Sequence, residues 1–177
     1  MDDLLRKLRN QVLGEMSVCM PQHRFFVPTE AFFAALSEFK HLQLIDAGTG
    51  SGELPDEARD LGFNMVGIEL ARRPGQSPNV VFREAESYPY SPTSWLLMCR
   101  PDHSGWVYDT VEAALRRGAS ALYVSKASNL TLDLDCYASR ASRVWQNVGQ
   151  DGECMLLLEP NALLPTDIFA DTVEDAV

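Results

Sequence analysis

The stretch Leu44-Ile45-Asp46-Ala47-Gly48-Thr49-Gly50-Ser51-Gly52 decides how this chain is read. An apolar run meets an acid and then three glycines at alternate positions, the pattern of a strand that ends in a tight turn. Without Cβ atoms at the turn, backbone can approach a ligand that side chains would hold off. The plainer alternative is a glycine turn that only joins a strand to the following helix.

Working outward, the pattern alternates between two periods. Residues 41–46, 64–69, 79–84, 94–100, 121–125 and 155–158 read as strands, and 54–61 and 106–117 as helices. The second of these helices is the best marked: Ser104 offers an N-cap, Val107, Val111, Ala114 and Leu115 recur at helical spacing, and Gly118 follows Arg116 and Arg117. Upstream, Leu4, Leu5, Leu8, Val12 and Leu13 form an amphipathic stripe over 3–18. A second helix, capped by Thr29, carries Phe32, Phe33, Leu36 and Phe39. Strands alternating with helices predict an α/β fold: a doubly wound, mostly parallel sheet with helices on both faces, preceded by two N-terminal helices. The expected division is an N-terminal helical segment over 1–40, a core over 41–165 and an acidic tail over 166–177, all one domain.

Composition narrows the class. A chain of 177 residues with 46% hydrophobic and 23% charged residues suits one globular core. No apolar run approaches the roughly 20 residues of a membrane span, and the N-terminus lacks the pattern of a signal peptide, so a cytoplasmic protein without membrane contact is expected. Cys19, Cys99, Cys136 and Cys154 form no C-x-x-C pair, and His23, His41 and His103 share no ligand spacing with them; reduced thiols and no metal are expected. A net charge of −10 argues against a large footprint on duplex nucleic acid. Arg72, Arg73, Arg116, Arg117, Arg140 and Arg143 could still gather into a local basic groove, the alternative being solvated helix ends and turns.

Two ligand classes use a glycine loop after a strand. The dinucleotide pattern G-x-G-x-x-G fails in both registers, with Glu53 or Pro55 at the last glycine position. Glu53, Asp56 and Glu57 also crowd the first turn of the next helix, where a pyrophosphate wants bare N–H groups and positive dipole. A cationic ligand tolerates such a rim. Arg72 and Arg73 could serve a 2′-phosphate, but the failed glycine pattern disfavours a nicotinamide-dependent oxidoreductase.

The segment Asp46-Ala47-Gly48-Thr49-Gly50-Ser51-Gly52 resembles the first motif of class I S-adenosylmethionine-dependent methyltransferases, whose fold is Rossmann-like. Two later segments carry the resemblance further. Met65-Val66-Gly67-Ile68-Glu69-Leu70 ends a strand in an acid, which in that family accepts hydrogen bonds from the ribose hydroxyls. Glu84-Ala85-Glu86-Ser87-Tyr88-Pro89-Tyr90 resembles the acid-alanine segment that meets adenine. The resemblance therefore implies S-adenosylmethionine as cofactor, held by Asp46, Gly48, Gly50, Gly52, Glu69, Glu84 and Ala85. Read as bare residues, Glu69 can equally be a strand-end carboxylate and Glu84 a surface acid opposite Arg83.

The fourth strand delivers Pro101-Asp102-His103 to the same sheet edge. Methyl transfer draws on alignment and needs a base only if the acceptor must lose a proton; Asp102 and His103 are the candidates. Alternatively Asp102 and Ser104 only cap the next helix and His103 is solvated. Trp106 and Tyr108 either line an acceptor pocket or are helix core. No Asn-Pro-Pro-Tyr, Asp-Pro-Pro-Tyr or Pro-Cys stands there, so a base amine loses ground as acceptor, leaving a small molecule or a protein. By family analogy 22–26 is a candidate lid, against a core role for Phe25 and Phe26, and the helix at 3–18 could be a lid or a homodimer surface. The competing function is a non-catalytic methyltransferase-like domain that binds cofactor or serves a partner as a regulatory subunit.

Overall fold

The computed structural model describes residues 26–72, 74–101, 105–126 and 138–162. They build one seven-stranded sheet: β1 (Gln43–Ala47), β2 (Asn64–Glu69), β3 (Val80–Phe82), β4 (Ser94–Cys99), β5 (Ala121–Lys126), β6 (Arg143–Trp145) and β7 (Glu153–Leu158). The α-helices with bounds among the described residues are α1 (Glu30–Leu36), α2 (Glu53–Asp60) and α3 (Gly105–Arg116). The strand order is β3-β2-β1-β4-β5-β7-β6. Neighbours from β3 through β5 pair parallel, while β7 runs antiparallel between β5 and β6. The chain thus winds outward from β1 in two directions, and the switch between β1 and β4 opens the crevice where such sheets take ligands.

Alternation along each strand feeds two cores. Leu44, Met65, Leu97, Leu122 and Met155 face α1 and α2, meeting Phe32, Leu36, Leu54 and Ala58. Ile45, Ile68, Leu96, Tyr123 and Leu156 face the other way, onto Val107, Val111, Ala114 and Leu115 of α3. Burial on both faces explains why these strands read as nearly continuous apolar runs. No helix among the described residues is long and apolar enough to cross a membrane.

Several sequence expectations shift in detail. The strand expected over 79–84 contracts to Val80–Phe82, and β6, an exposed three-residue edge strand, was not expected at all. Thr29 does stand at the N-cap position of α1, but its hydroxyl makes no cap hydrogen bond; it donates to the Asn147 carbonyl at 2.8 Å. That bond, with Thr29 N–H to Val148 C=O and Gln150 N–H to Val27 C=O, fastens 27–29 to the β6–β7 hairpin. Phe26 is core, edge-to-face with Phe32. The helix expected over 3–18, the rest of the candidate lid at 22–25, the acidic tail and Cys19 and Cys136 lie outside the described residues.

The connection from β2 to β3 is unusual. A parallel crossover ordinarily takes a dozen or more residues and a helix. Here residues 70–79 suffice, with no helix among the described ones. They lie back on the start of α2 and are pinned there: the Asp56 carboxylate accepts from Ser77 Oγ at 2.9 Å and from Asn79 Nδ2 at 2.8 Å.

Candidate functional site

The glycine loop leaves β1 and makes its turn with φ of +74°, +63° and +85° at Gly48, Gly50 and Gly52. The three positions lack a side chain for different reasons. At Gly52 a Cβ would lie 2.6 Å from Val80 Cγ2 and 2.9 Å from Ser77 Cβ, so close packing of loop, α2 and β3 demands glycine. At Gly48 it would meet the Trp106 ring at 3.1 Å. At Gly50 it would meet nothing within 4 Å. The open approach to this loop is therefore at Gly50.

Glu69 ends β2 beside it. Its Oε2 accepts the Gly50 N–H at 2.9 Å and its Oε1 accepts the Leu70 N–H at 3.0 Å. The pairing has a topological cause: the N–H groups of Gly48 and Thr49 both donate to the Ile68 carbonyl, which sets the loop against the end of β2.

Across the next gap, the Arg83 N–H donates to the Glu69 carbonyl, which carries the chain directly to Glu84. Glu84 is exposed and stands at the N-cap of a short 3-10 turn, Ala85–Ser87, where its carbonyl accepts both the N–H and the hydroxyl of Ser87. Ala85 packs on the α3 side of the core. Asp46, the last of the expected cofactor set, is 3% exposed and lies in register with Gly67 and Leu97. The structure thus brings Gly48, Gly50, Gly52 and Glu69 together at the carboxyl edge, with Glu84 and Ala85 following from β3. Asp102, His103 and Ser104 lie outside the described residues.

Some residues have other tasks than the sequence suggested. Asp56 does not belong to a free acidic rim, because its carboxylate holds the 70–79 connection. Arg72 lies over the Phe82 ring at 4.6 Å, while Arg143, on β6, pairs with Glu38 at the opposite edge of the sheet. Arg73 is outside the described residues. Conversely, sequence reasoning missed Gln76, whose Nε2 donates to the Gly50 carbonyl at 2.6 Å. The available signal for Gln76 was the shortness of the connection between two parallel strands.

No family model and no curated protein matches the chain. Solved structures do. A Thermoplasma acidophilum protein superposes with a TM-score of 0.54 at 11% identity, covering 72% of this chain and 85% of that one. A putative RNA methyltransferase from Pyrococcus horikoshii gives 0.52 at 10% identity, covering 73% and 82%. A putative methyltransferase from Escherichia coli gives 0.50 at 18% identity, also covering 73% and 82%. The fold is that of the class I S-adenosylmethionine-dependent methyltransferases. At these identities the likeness is one of architecture, and the methyltransferase fold places the glycine loop, Glu69 and Glu84 along a single edge without assigning them a ligand.

Proposed function

We propose that this protein is a methyltransferase that binds S-adenosylmethionine at the Asp46 to Gly52 loop, Glu69, Glu84 and Ala85 and transfers its methyl group to a small-molecule or protein acceptor. The observation that carries the reading is the pairing at the head of the crevice: Gly50, where an added Cβ would meet nothing within 4 Å, with its N–H held by the Glu69 carboxylate at the end of β2. A ligand with hydroxyl donors and cationic groups suits that pair, whereas a pyrophosphate would face Glu69 and Glu53 without the glycine spacing it needs.

When bound, S-adenosylmethionine supplies an electrophilic methyl group on a sulfonium. The chain's contribution is placement, which alone can supply about 7 to 11 kcal/mol of a barrier. Glu69 orients the donor through hydroxyl hydrogen bonds while keeping the loop in shape through Gly50. Trp106, against Gly48, closes one wall. Asp102 and His103, which precede α3 in the chain, are the residues to take a proton when the acceptor carries one.

Calorimetric titration with S-adenosylmethionine, S-adenosylhomocysteine and NAD tests this reading. Binding of the first two at about micromolar levels and none of NAD is expected, and Glu69→Ala should weaken it by about 1 to 3 kcal/mol. If the intact fold binds neither sulfur compound, the donor site is wrong. Binding without turnover on any acceptor, unchanged by Asp102→Ala and His103→Ala, would instead favour the regulatory-subunit reading.

A further inference from the structure

Beside the glycine loop, on the same carboxyl edge, lies a charged cluster that no part of the donor site uses. Arg100 follows β4, Lys126 ends β5, and Asp151 and Glu153 stand at the start of β7. The Arg100 Nη1 donates to Glu153 Oε1 at 3.2 Å and to Asp151 Oδ2 at 3.1 Å. Lys126 Nζ reaches the same Asp151 oxygen at 3.1 Å. One carboxylate oxygen therefore bridges two cations.

The two carboxylates are not equivalent. Glu153 is 1% exposed, and its Oε2 accepts the backbone N–H of Asp151 at 3.0 Å. Room for it exists because Gly149 lacks a Cβ, which would collide with Glu153 Oε2 and the Phe26 ring. Burying a carboxylate is costly unless it is paired and hydrogen-bonded. Here the cost is met by fixing one guanidinium. Arg100 itself holds a left-handed backbone at φ +50°, a conformation that costs a non-glycine residue energy and persists only where its surroundings enforce it. By contrast Asp151 is 56% exposed and hangs on a tight turn closed by the Gly152 N–H to the Gly149 carbonyl. Its backbone N–H, not its side chain, keeps the turn on Glu153.

We infer that Arg100 and Lys126 form a subsite for a carboxylate group of the methyl acceptor, and that the Asp151 side chain occupies this subsite as a stand-in until the acceptor displaces it. The inference rests on the methyltransferase reading for the word acceptor, but the subsite stands on its own geometry. Arg100 is buttressed from behind by Glu153, so displacement of Asp151 leaves the guanidinium in place. Strands lie about 4.8 Å apart, which sets Arg100 roughly 5 Å and Lys126 roughly 10 Å along the edge from the glycine loop. A small acceptor can span that interval, with its carboxylate on the cations and its methylated atom toward the loop.

The test is a titration of the isotopically labelled full chain with benzoate at constant ionic strength, followed by amide shifts at Lys126 and across 149–153. Asp151→Asn keeps the turn and removes the stand-in charge. It should bind benzoate saturably and at least about tenfold more tightly than the parent, whose tethered carboxylate competes. Adding Lys126→Gln or Arg100→Gln to Asp151→Asn should abolish that binding, and the first serves if the second fails to fold. The absence of a saturable shift in a well-dispersed Asp151→Asn spectrum overturns the subsite, as does a response to inorganic phosphate with none to benzoate. S-adenosylhomocysteine added to the same sample reports at Gly50 and Glu69, so failure of the donor reading and failure of the carboxylate subsite appear as separate results.

Discussion

Gly50 and Gly52 stand two residues apart, both with positive φ, yet they answer to different demands. Alanine at either position costs about 1 to 2 kcal/mol of left-handed strain. At Gly52 its Cβ would in addition drive into Val80 and Ser77, whereas at Gly50 it would enter open space. Gly52→Ala is therefore expected to lose clearly more stability in urea than Gly50→Ala. Gly50→Ala should instead keep a native melting profile only slightly lowered and lose donor affinity in calorimetry. Equal losses of stability would remove the distinction between a packing glycine and a ligand-facing one.

Among the elements, α1 shows how much a short helix depends on its seat. Seven residues are too few to be stable alone, and α1 has no side-chain N-cap. It persists because Phe32 and Leu36 are fully buried in the same apolar cluster as Leu44, Leu97 and Leu122 of the sheet. Leu36→Ala should cost about 2 to 5 kcal/mol, read from the urea midpoint at unchanged slope. Val144→Thr, on the exposed edge strand β6, should stay within about 0.5 kcal/mol of the parent. Element boundaries were legible in the sequence where burial enforced a pattern. The strand over 64–69 matches β2 residue for residue, and Leu44 to Asp46 lie inside β1. They were illegible where it did not: Arg143-Val144-Trp145 is short and largely exposed, so nothing in its hydropathy separates it from a loop.

For the molecule as a whole, long-range ion pairs join what the chain order keeps apart. Arg143 on β6 grips Glu38 with bonds of 2.6 and 3.0 Å across 105 residues. The hydrogen bond from Arg143 holds the Glu38 carboxyl below its ordinary range, as Lys126 and then Arg100 do for Asp151. Carboxylates depressed in the folded state add stability above their unfolded pKa of about 4 and lose it as pH falls through the lower folded value. Acid titration of stability should therefore fall less steeply for a Glu38→Gln/Asp151→Asn double variant than for the parent, with salt reducing the difference. A parallel slope would show that these pairs contribute nothing. Such pairs also mark where sequence reading stops. The glycine loop and Glu69 were legible because motif and strand end sit close together in the chain. Nothing local to Arg100 announces Glu153, and nothing local to Gly50 announces Gln76, since each partner is supplied by a fold that must exist first.

The antiparallel β7 carries a consequence for how the protein is born. It is buried at all six positions and pairs with β5 along its whole length, yet it emerges about 30 residues later. At synthesis rates of 5 to 20 residues per second, β5 leaves the ribosome with one edge unpaired for about 2 to 6 s. During that interval the apolar row Ala121 to Val124 is a template for any passing strand. Slow codons between β5 and β7 lengthen that exposure, and a nascent chain arrested there is a natural client for chaperones that shield open sheet edges.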